Sequence, residues 1–203
     1  MTIVAVEGID GAGKSALVAG LIASSHLRNA FTEVSGMQEF SSPIGPCLRD
    51  NLTAMSPISI AYAFAAERHW LIEHCNQTPG GLIIWDRYVD SVYACRSADV
   101  RAGRAPADLM DAVREIVAKA PRQHLTLYVD TSASTAHNRL VQRQRLLQLP
   151  VRNDEQMLEF QREAYEQLWR TRTPSPLRLN GEASDEMLLK QAIDGILGCV
   201  SVT

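Results

Sequence analysis

The nine residues Glu7 to Ser15, EGIDGAGKS, limit the possible folds more than any other stretch. Gly8, Gly11 and Gly13 permit backbone angles that a Cβ forbids, so the segment reads as a tight loop. Ile3-Val4-Ala5-Val6 in front reads as a short buried strand, and Ser15 to Ile22 behind as a helix. Gly8-x-x-x-x-Gly13-Lys14-Ser15 fits the pattern G-x-x-x-x-G-K-[ST] in the strand–loop–helix context its mechanism needs. Backbone N–H groups turned inward, beside the positive end of a helix, make a cradle for a β-phosphate. Gly8, Ile9, Asp10, Gly11, Ala12, Gly13, Lys14 and Ser15 are therefore expected to hold a nucleoside triphosphate. Lys14 would reach the β- and γ-oxygens, and the Ser15 hydroxyl would reach Mg²⁺. A chance match in a glycine-rich turn is the bland alternative. The cradle alone does not separate a small-molecule kinase from a GTPase, an ATPase motor or a nucleotide switch.

A loop of this kind needs a parallel sheet behind it, and the chain supplies the pattern. Strands are expected at 2–7, 31–35, 81–86, 124–130 and 177–180. GLIIWD and HLTLYVD are near-continuous apolar runs, as suits parallel strands covered on both faces. Helices are expected at 14–28, 56–77, 89–98, 106–119, 133–146, 153–171 and 184–198. The second opens Ser56-Pro57, a cap followed by proline at the first helical position. The alternation predicts an α/β doubly wound fold in one domain spanning 1–203.

Bulk properties narrow the classes. A net charge of −3 provides no field to recruit nucleic acid or an acidic membrane. No apolar run approaches the length that spans a bilayer, and the chain starts directly in a strand, so a cytoplasmic location is expected. Cys47, Cys75, Cys95 and Cys199 are scattered, which suits reduced thiols better than a disulfide framework or zinc site. The five histidines form no ligand cluster. Arginines outnumber lysines 17 to three, which fits phosphate recognition and fits coding bias equally.

Three stretches speak to what receives the phosphoryl group. WDRYVDSVYACR (85–96) puts Asp86 and Arg87 at the end of a buried strand, the edge where open α/β sheets bind ligands. Asp86 can hold a metal through water, and Arg87 can fork onto a phosphate; a capping Asp beside a surface Arg is the alternative. FAAER (64–68) sets Phe64 and Arg68 one helical turn apart, where a ring and a guanidinium can stack on a base and bond its edge. A core Phe with a surface Arg fits as well. NRLVQRQRLLQLPVRNDE (138–155) carries Arg139, Arg143, Arg145 and Arg152, either as a solvated face or as a lid over the transferring group.

Together these segments resemble the thymidylate kinase family of nucleoside monophosphate kinases. VEGIDGAGKS, FAAER, DRYVDS, the arginine segment, LEFQREAYEQL (158–168) and LNGEASDEMLLKQAI lie in the family's order over essentially the whole chain. The resemblance implies a three-layer P-loop kinase fold. Its five-stranded parallel sheet would run in the order 2-3-1-4-5, with helices on both faces and an arginine-bearing lid at about 139–155. It implies ATP as phosphoryl donor, Mg²⁺ as cofactor and a pyrimidine deoxynucleoside monophosphate as acceptor. Asp10 would bridge the acceptor's sugar hydroxyl and Arg87, and Arg87 would hold the acceptor's phosphate in line. Phe64 would stack on the pyrimidine, Arg68 would bond its 4-carbonyl, and Arg49 would touch the acceptor phosphate. Arg139 would lie against the donor adenine, with Ser15 and Asp86 at the metal. Gly11 stands where some members carry a catalytic arginine, so Arg143, Arg145 and Arg152 become the lid candidates. The family's homodimers also imply pairing through the apolar run ISIAYAFAA, which fits a core helix equally well.

The chain departs from the family after Asp86-Arg87-Tyr88. In the same register as Ser91 come Val92, Cys95 and Arg96, where the family often carries a polar residue, a tyrosine beside the sugar's 2′ carbon, and a glutamine. Tyr93 points elsewhere, since two residues turn about 200° around a helix. Three changes on one turn suggest an altered acceptor, such as a 5-substituted dUMP of the 5-hydroxymethyl type. Drift within an ordinary dTMP kinase is the alternative. A deoxynucleoside kinase and a degenerate nucleotide-binding interaction protein are the other readings.

Overall fold

The computed structural model describes residues 1–52, 54–75, 78–147, 153–170, 172 and 174–200, with backbone alone at 144–147 and 200. Five strands, β1 (Thr2–Glu7), β2 (Val34–Gln38), β3 (Leu82–Asp86), β4 (Leu125–Asp130) and β5 (Leu177–Asn180), form one all-parallel sheet. Its order is β2-β3-β1-β4-β5, as the resemblance implies. The helices among the described residues are α1 (Lys14–Ala23), α2 (Ser25–Ala30), α3 (Gly45–Asn51), α4 (Pro57–His74), α5 (Val89–Arg101), α6 (Leu109–Lys119), α7 (Ala133–Leu147), α8 (Glu155–Trp169) and α9 (Asp185–Val200).

Alternation along the strands assigns each layer its side chains. Val4 and Val6 of β1, Leu82 and Ile84 of β3, and Leu127 and Val129 of β4 pack with Leu17, Val18 and Leu21 of α1 and Leu188, Ala192 and Ile196 of α9. The residues between them, Ile3, Ala5, Ile83 and Trp85, pack with Leu71 and Cys75 of α4 and with Tyr88 and Val89. All five residues of β3 are buried, which accounts for the unbroken apolar run in the sequence.

Several expected boundaries move: α5 ends three residues later than expected, at Arg101, and α6 opens three residues later, at Leu109. The helix expected at 14–28 is two helices, because Ser24 adopts an extended backbone and its Oγ accepts from Leu27 N, opening α2. The strand expected at 31–35 is β2 at Val34–Gln38. Phe31 instead caps the C-terminus of α2 and packs into the core. Pairing with β3 then sets the register, from Val34 opposite Leu82 to Gln38 opposite Asp86. Both β2 and β3 therefore end at the sheet edge that carries the chemistry.

No helix among the described residues is long and apolar enough to cross a membrane.

Candidate active site

The loop between β1 and α1 takes the shape its glycines predict. Gly11 has φ +83° and Gly13 φ +101°, in the left-handed region that favours glycine. At Gly11 a Cβ would also lie 2.3 Å from the Ala136 carbonyl oxygen of α7, so the loop has no room there for any side chain. Ala12 N donates to Ile9 O at 3.2 Å, and Lys14 Nζ closes the loop by donating to Ile9 O at 2.7 Å. Lys14 is buried, and burial together with the Arg87 charge pushes its amine down to about 8. A polyanion in this loop would reverse that shift.

At the floor of the loop, Ser15 Oγ donates to Asp86 Oδ2 at 2.6 Å. Asp86 Oδ1 is buried and has no hydrogen-bond partner among the described residues. A hydroxyl, a carboxylate with a spare oxygen and open space for phosphate oxygens form the hard donor set that suits Mg²⁺. No group of three or more His, Cys, Asp or Glu side chains that could hold a metal occurs among the described residues. Such a set fits an ion that shares its coordination between protein, water and substrate.

Three cavities run end to end across this edge of the sheet. The first, about 430 Å³, lies between α1 and α9, bounded by Gly13, Leu17, Gly20, Arg139, Gly181 and Leu189. Arg139 forms one wall, tied down by donating from Nη1 to Ala12 O at 3.3 Å and from Nη2 to Gly181 O at 3.0 Å. The second, about 260 Å³, sits over the loop among Asp10, Gly11, Lys14, Ser15, Arg87, Arg139 and Arg143. The third, about 390 Å³, is walled by Asp10, Glu39, Phe40, Phe64, Arg68, Arg87, Ser91, Val92, Cys95, Arg96, Arg143 and Asn153. Asp10, Arg87, Leu140 and Arg143 line both the second and the third cavity.

Arg87 occupies a backbone conformation that side chains rarely adopt, with φ +67°. It is held there by donating its N–H to Val6 O at 3.0 Å and by a close ion pair with Asp10. Asn153 donates to the other Asp10 oxygen at 2.6 Å. Burial acts to raise the Asp10 carboxyl, but Arg87, Lys14 and Asn153 outweigh it and hold the group below its ordinary value. Phe64 and Arg68 share a face as their spacing predicts: the Arg68 guanidinium lies 5.3 Å from the Phe64 ring centre. Arg68 also pairs with Glu39 at 2.8 Å. Arg96 pairs with Asp99 at 3.1 Å on its own helix. Burial, then the Asp10 charge, pushes the Cys95 thiol up to about 11.

Asp10, Gly11, Ala12, Gly13, Lys14 and Ser15 thus come together with Arg139 along the first two cavities, and Phe64, Arg68, Arg87, Ser91, Val92, Cys95 and Arg96 around the third, whereas Gly8 and Ile9 line none of them. Arg49 is absent from that lining; its guanidinium lies 5.2 Å from the Phe40 ring. Arg143 bridges the two compartments, whereas the Arg145 side chain and Arg152 lie outside the described residues. Sequence reasoning missed Glu39, Phe40 and Asn153. Phe40 (φ +66°) sits 5.5 Å from Phe64, ring centre to ring centre, on a turn no local pattern announces. Asn153 stands immediately before the capping Asp154 of α8, a position that the cap signal could have marked.

A family model for thymidylate kinase matches residues 6–191. The chain belongs to the thymidylate kinase family. Among its relatives, the thymidylate kinase of Mycoplasma pneumoniae is 32% identical over 154 residues, covering 69% of this chain and 68% of the relative. A protein named "Probable thymidylate kinase" in Pyrobaculum calidifontis is 32% identical over 152 residues, 70% of this chain and 71% of the relative. As a member of the thymidylate kinase family, the chain is a nucleoside monophosphate kinase, a transferase, and the family uses ATP as phosphoryl donor.

Proposed function

We propose that the enzyme transfers the γ-phosphoryl group of ATP, with Mg²⁺, to a pyrimidine deoxynucleoside monophosphate, either dTMP or a 5-substituted dUMP. One observation carries this reading: the glycine cradle and the arginine-walled cavity share Asp10, Arg87 and Arg143 as a common boundary. A phosphoryl group leaving one compartment has only this shared boundary to pass to enter the other. The donor adenine lies along Arg139, and its phosphates lie in the loop under Lys14. Ser15 and Asp86 hold Mg²⁺, which supplies neutralisation of the phosphate charge. Arg87 grips the acceptor phosphate and Asp10 the sugar hydroxyl, while Phe64 stacks on the base and Arg68 bonds its edge. Arg143, exposed and without a charged partner among the described residues, covers the charge that spreads over the transferring oxygens. Arg145 and Arg152 complete the lid, and positioning supplies most of the remaining rate.

The 5-substituted acceptor rests on Val92, Cys95 and Arg96, which all line the third cavity. The test is a panel of dTMP, dUMP, 5-hydroxymethyl-dUMP, UMP, dCMP and thymidine with ATP and Mg²⁺. Transfer to a pyrimidine deoxynucleoside monophosphate supports the kinase reading, and transfer to thymidine alone overturns it in favour of a nucleoside kinase. A dTMP kcat/KM far above all others overturns the 5-substituted arm. We further propose a single-domain cytoplasmic homodimer that pairs through α4, where Ile58 and Tyr62 are 45% and 52% exposed. Light scattering that gives the mass of one chain overturns the pairing.

A further inference from the structure

Glu7, the last residue of β1, lines none of the three cavities and is completely buried. A carboxyl group so placed is costly unless its oxygens are used. They are used by partners from two other elements. Oε1 accepts from Tyr88 N at 2.8 Å. Oε2 accepts a short bond from Ser91 Oγ and one from the Tyr165 hydroxyl at 3.0 Å. The Tyr165 oxygen also lies 2.9 Å from Ser91 Oγ and 3.4 Å from Gly8 O, the first residue of the cradle.

The three elements joined here are the ones whose spacing matters for transfer. Glu7 leads directly into the phosphate loop. Tyr88 follows Arg87, whose unfavourable backbone angle must be imposed from outside. Ser91 lies on α5, the wall that carries Val92, Cys95 and Arg96. Tyr165 lies on α8, the helix that begins just after Asn153, a partner of Asp10. A second buried carboxylate reinforces the α5–α8 contact: Asp90 accepts from Trp169 Nε1 at 3.1 Å and pairs closely with Arg172.

We propose that Glu7 and Tyr165 are a positioning pair that fixes the distance between the phosphate cradle and the acceptor clamp. They touch neither nucleotide and act through Gly8 on one side and through the Arg87–Tyr88 turn and Ser91 on the other. Such a pair has a distinctive consequence. Each nucleotide alone binds a compartment whose own wall is intact, whereas transfer requires both compartments in register, and a misplacement of about 1 Å costs on the order of 10²-fold in rate.

The test uses Tyr165→Phe and Glu7→Gln in the full chain, with wild-type turnover measured first so that failure of the proposed kinase reaction is seen separately. Binding is measured for ADP, for dTMP and for a bridged ligand that joins adenosine and thymidine through five phosphates. The expected result is a loss of at least about tenfold in affinity for the bridged ligand, with ADP and dTMP affinities within about threefold of wild type. Any wild-type kcat is expected to fall about 10- to 100-fold, with both KM values little changed. The conservative Glu7→Gln keeps one accepting oxygen and is expected to retain more affinity for the bridged ligand than Glu7→Ala. Bridged-ligand affinity within threefold of wild type in the folded variants overturns the proposal. So does a parallel loss for all three ligands, and so does failure of both Tyr165→Phe and Glu7→Gln to fold, either of which assigns the pair to stability.

Discussion

The two halves of the site are built differently. On the donor side, cationic groups are satisfied by the backbone: Lys14 by Ile9 O, and Arg139 by Ala12 O and Gly181 O. On the acceptor side, guanidinium groups pair with carboxylates, Arg87 with Asp10, Arg68 with Glu39 and Arg96 with Asp99 on its own helix. Arg68 also donates to Phe64 O at 3.4 Å, and its buried Nε has no partner among the described residues. A backbone carbonyl is a fixed, weak partner that a triphosphate displaces easily. A carboxylate is a strong partner, so an acceptor must either share it or leave it in place as part of its own recognition. The donor side is thus a general anion receptor, and the acceptor side, Arg143 apart, is a mould of paired charges that rewards a particular shape.

The contrast is broken most directly at Lys14. Lys14→Ala is expected to lower kcat/KM for the donor and for the acceptor by at least about 10³-fold, because the loop loses its charge on the transferring group. A coupled assay of ADP release checks this, and loss confined to one substrate contradicts the shared boundary. Arg87→Ala should act chiefly on the acceptor side, although Arg87 borders both compartments. Transfer to the monophosphate is expected to fall about 10²-fold or more while the Kd for ADP stays within about threefold, as calorimetry can read. Phe64→Ala is a milder form of the same test, raising the acceptor KM about tenfold through lost stacking, with the donor KM unchanged. Arg96→Gln sharpens the mould: a shift of a few-fold in the ratio of kcat/KM for 5-hydroxymethyl-dUMP and dTMP is expected, and an unchanged ratio removes Arg96 from acceptor choice.

The smallest expected effect concerns the buried hinge between the halves. Burial and the neighbouring Asp90 charge push the Glu7 carboxyl from 4.5 up to about 7, against the pull of its three donors. The folded chain therefore binds a proton more readily than the unfolded one. This stabilisation is present below about pH 4.5 and is lost as pH rises toward 7. Denaturant titrations across pH 5 to 7 are expected to show a slope that Glu7→Gln removes, of no more than about 1.4 kcal/mol per pH unit for one proton. Identical slopes in the two chains contradict this.

The same contrast explains what could be read from the residues in advance. The cradle is written in eight consecutive positions, so its glycines, Lys14 and Ser15 were legible without knowing anything distant. The sheet order followed from alternation plus the resemblance. Phe64 with Arg68, and Asp86 with Arg87, were legible because each pair lies within one turn or one strand end. Glu39 and Asn153 were not, since their roles exist only once β2, α4 and the segment before α8 have converged on Arg68 and Asp10. β2 itself was misplaced by three residues, because Phe31 looks like strand material until α2 claims it for the core. Glu7 lay inside the quoted motif and still went unread. Its importance comes from Tyr88, Ser91 and Tyr165, between 81 and 158 positions away.

The close seating of α7 on the loop at Gly11 has a further consequence for how the activity can change over time. Any substitution that plants a long basic group at that corner must first push α7 away from the loop at Ala136 and Leu140. The corner is sterically sealed, so any cation that serves it has to come from another part of the chain.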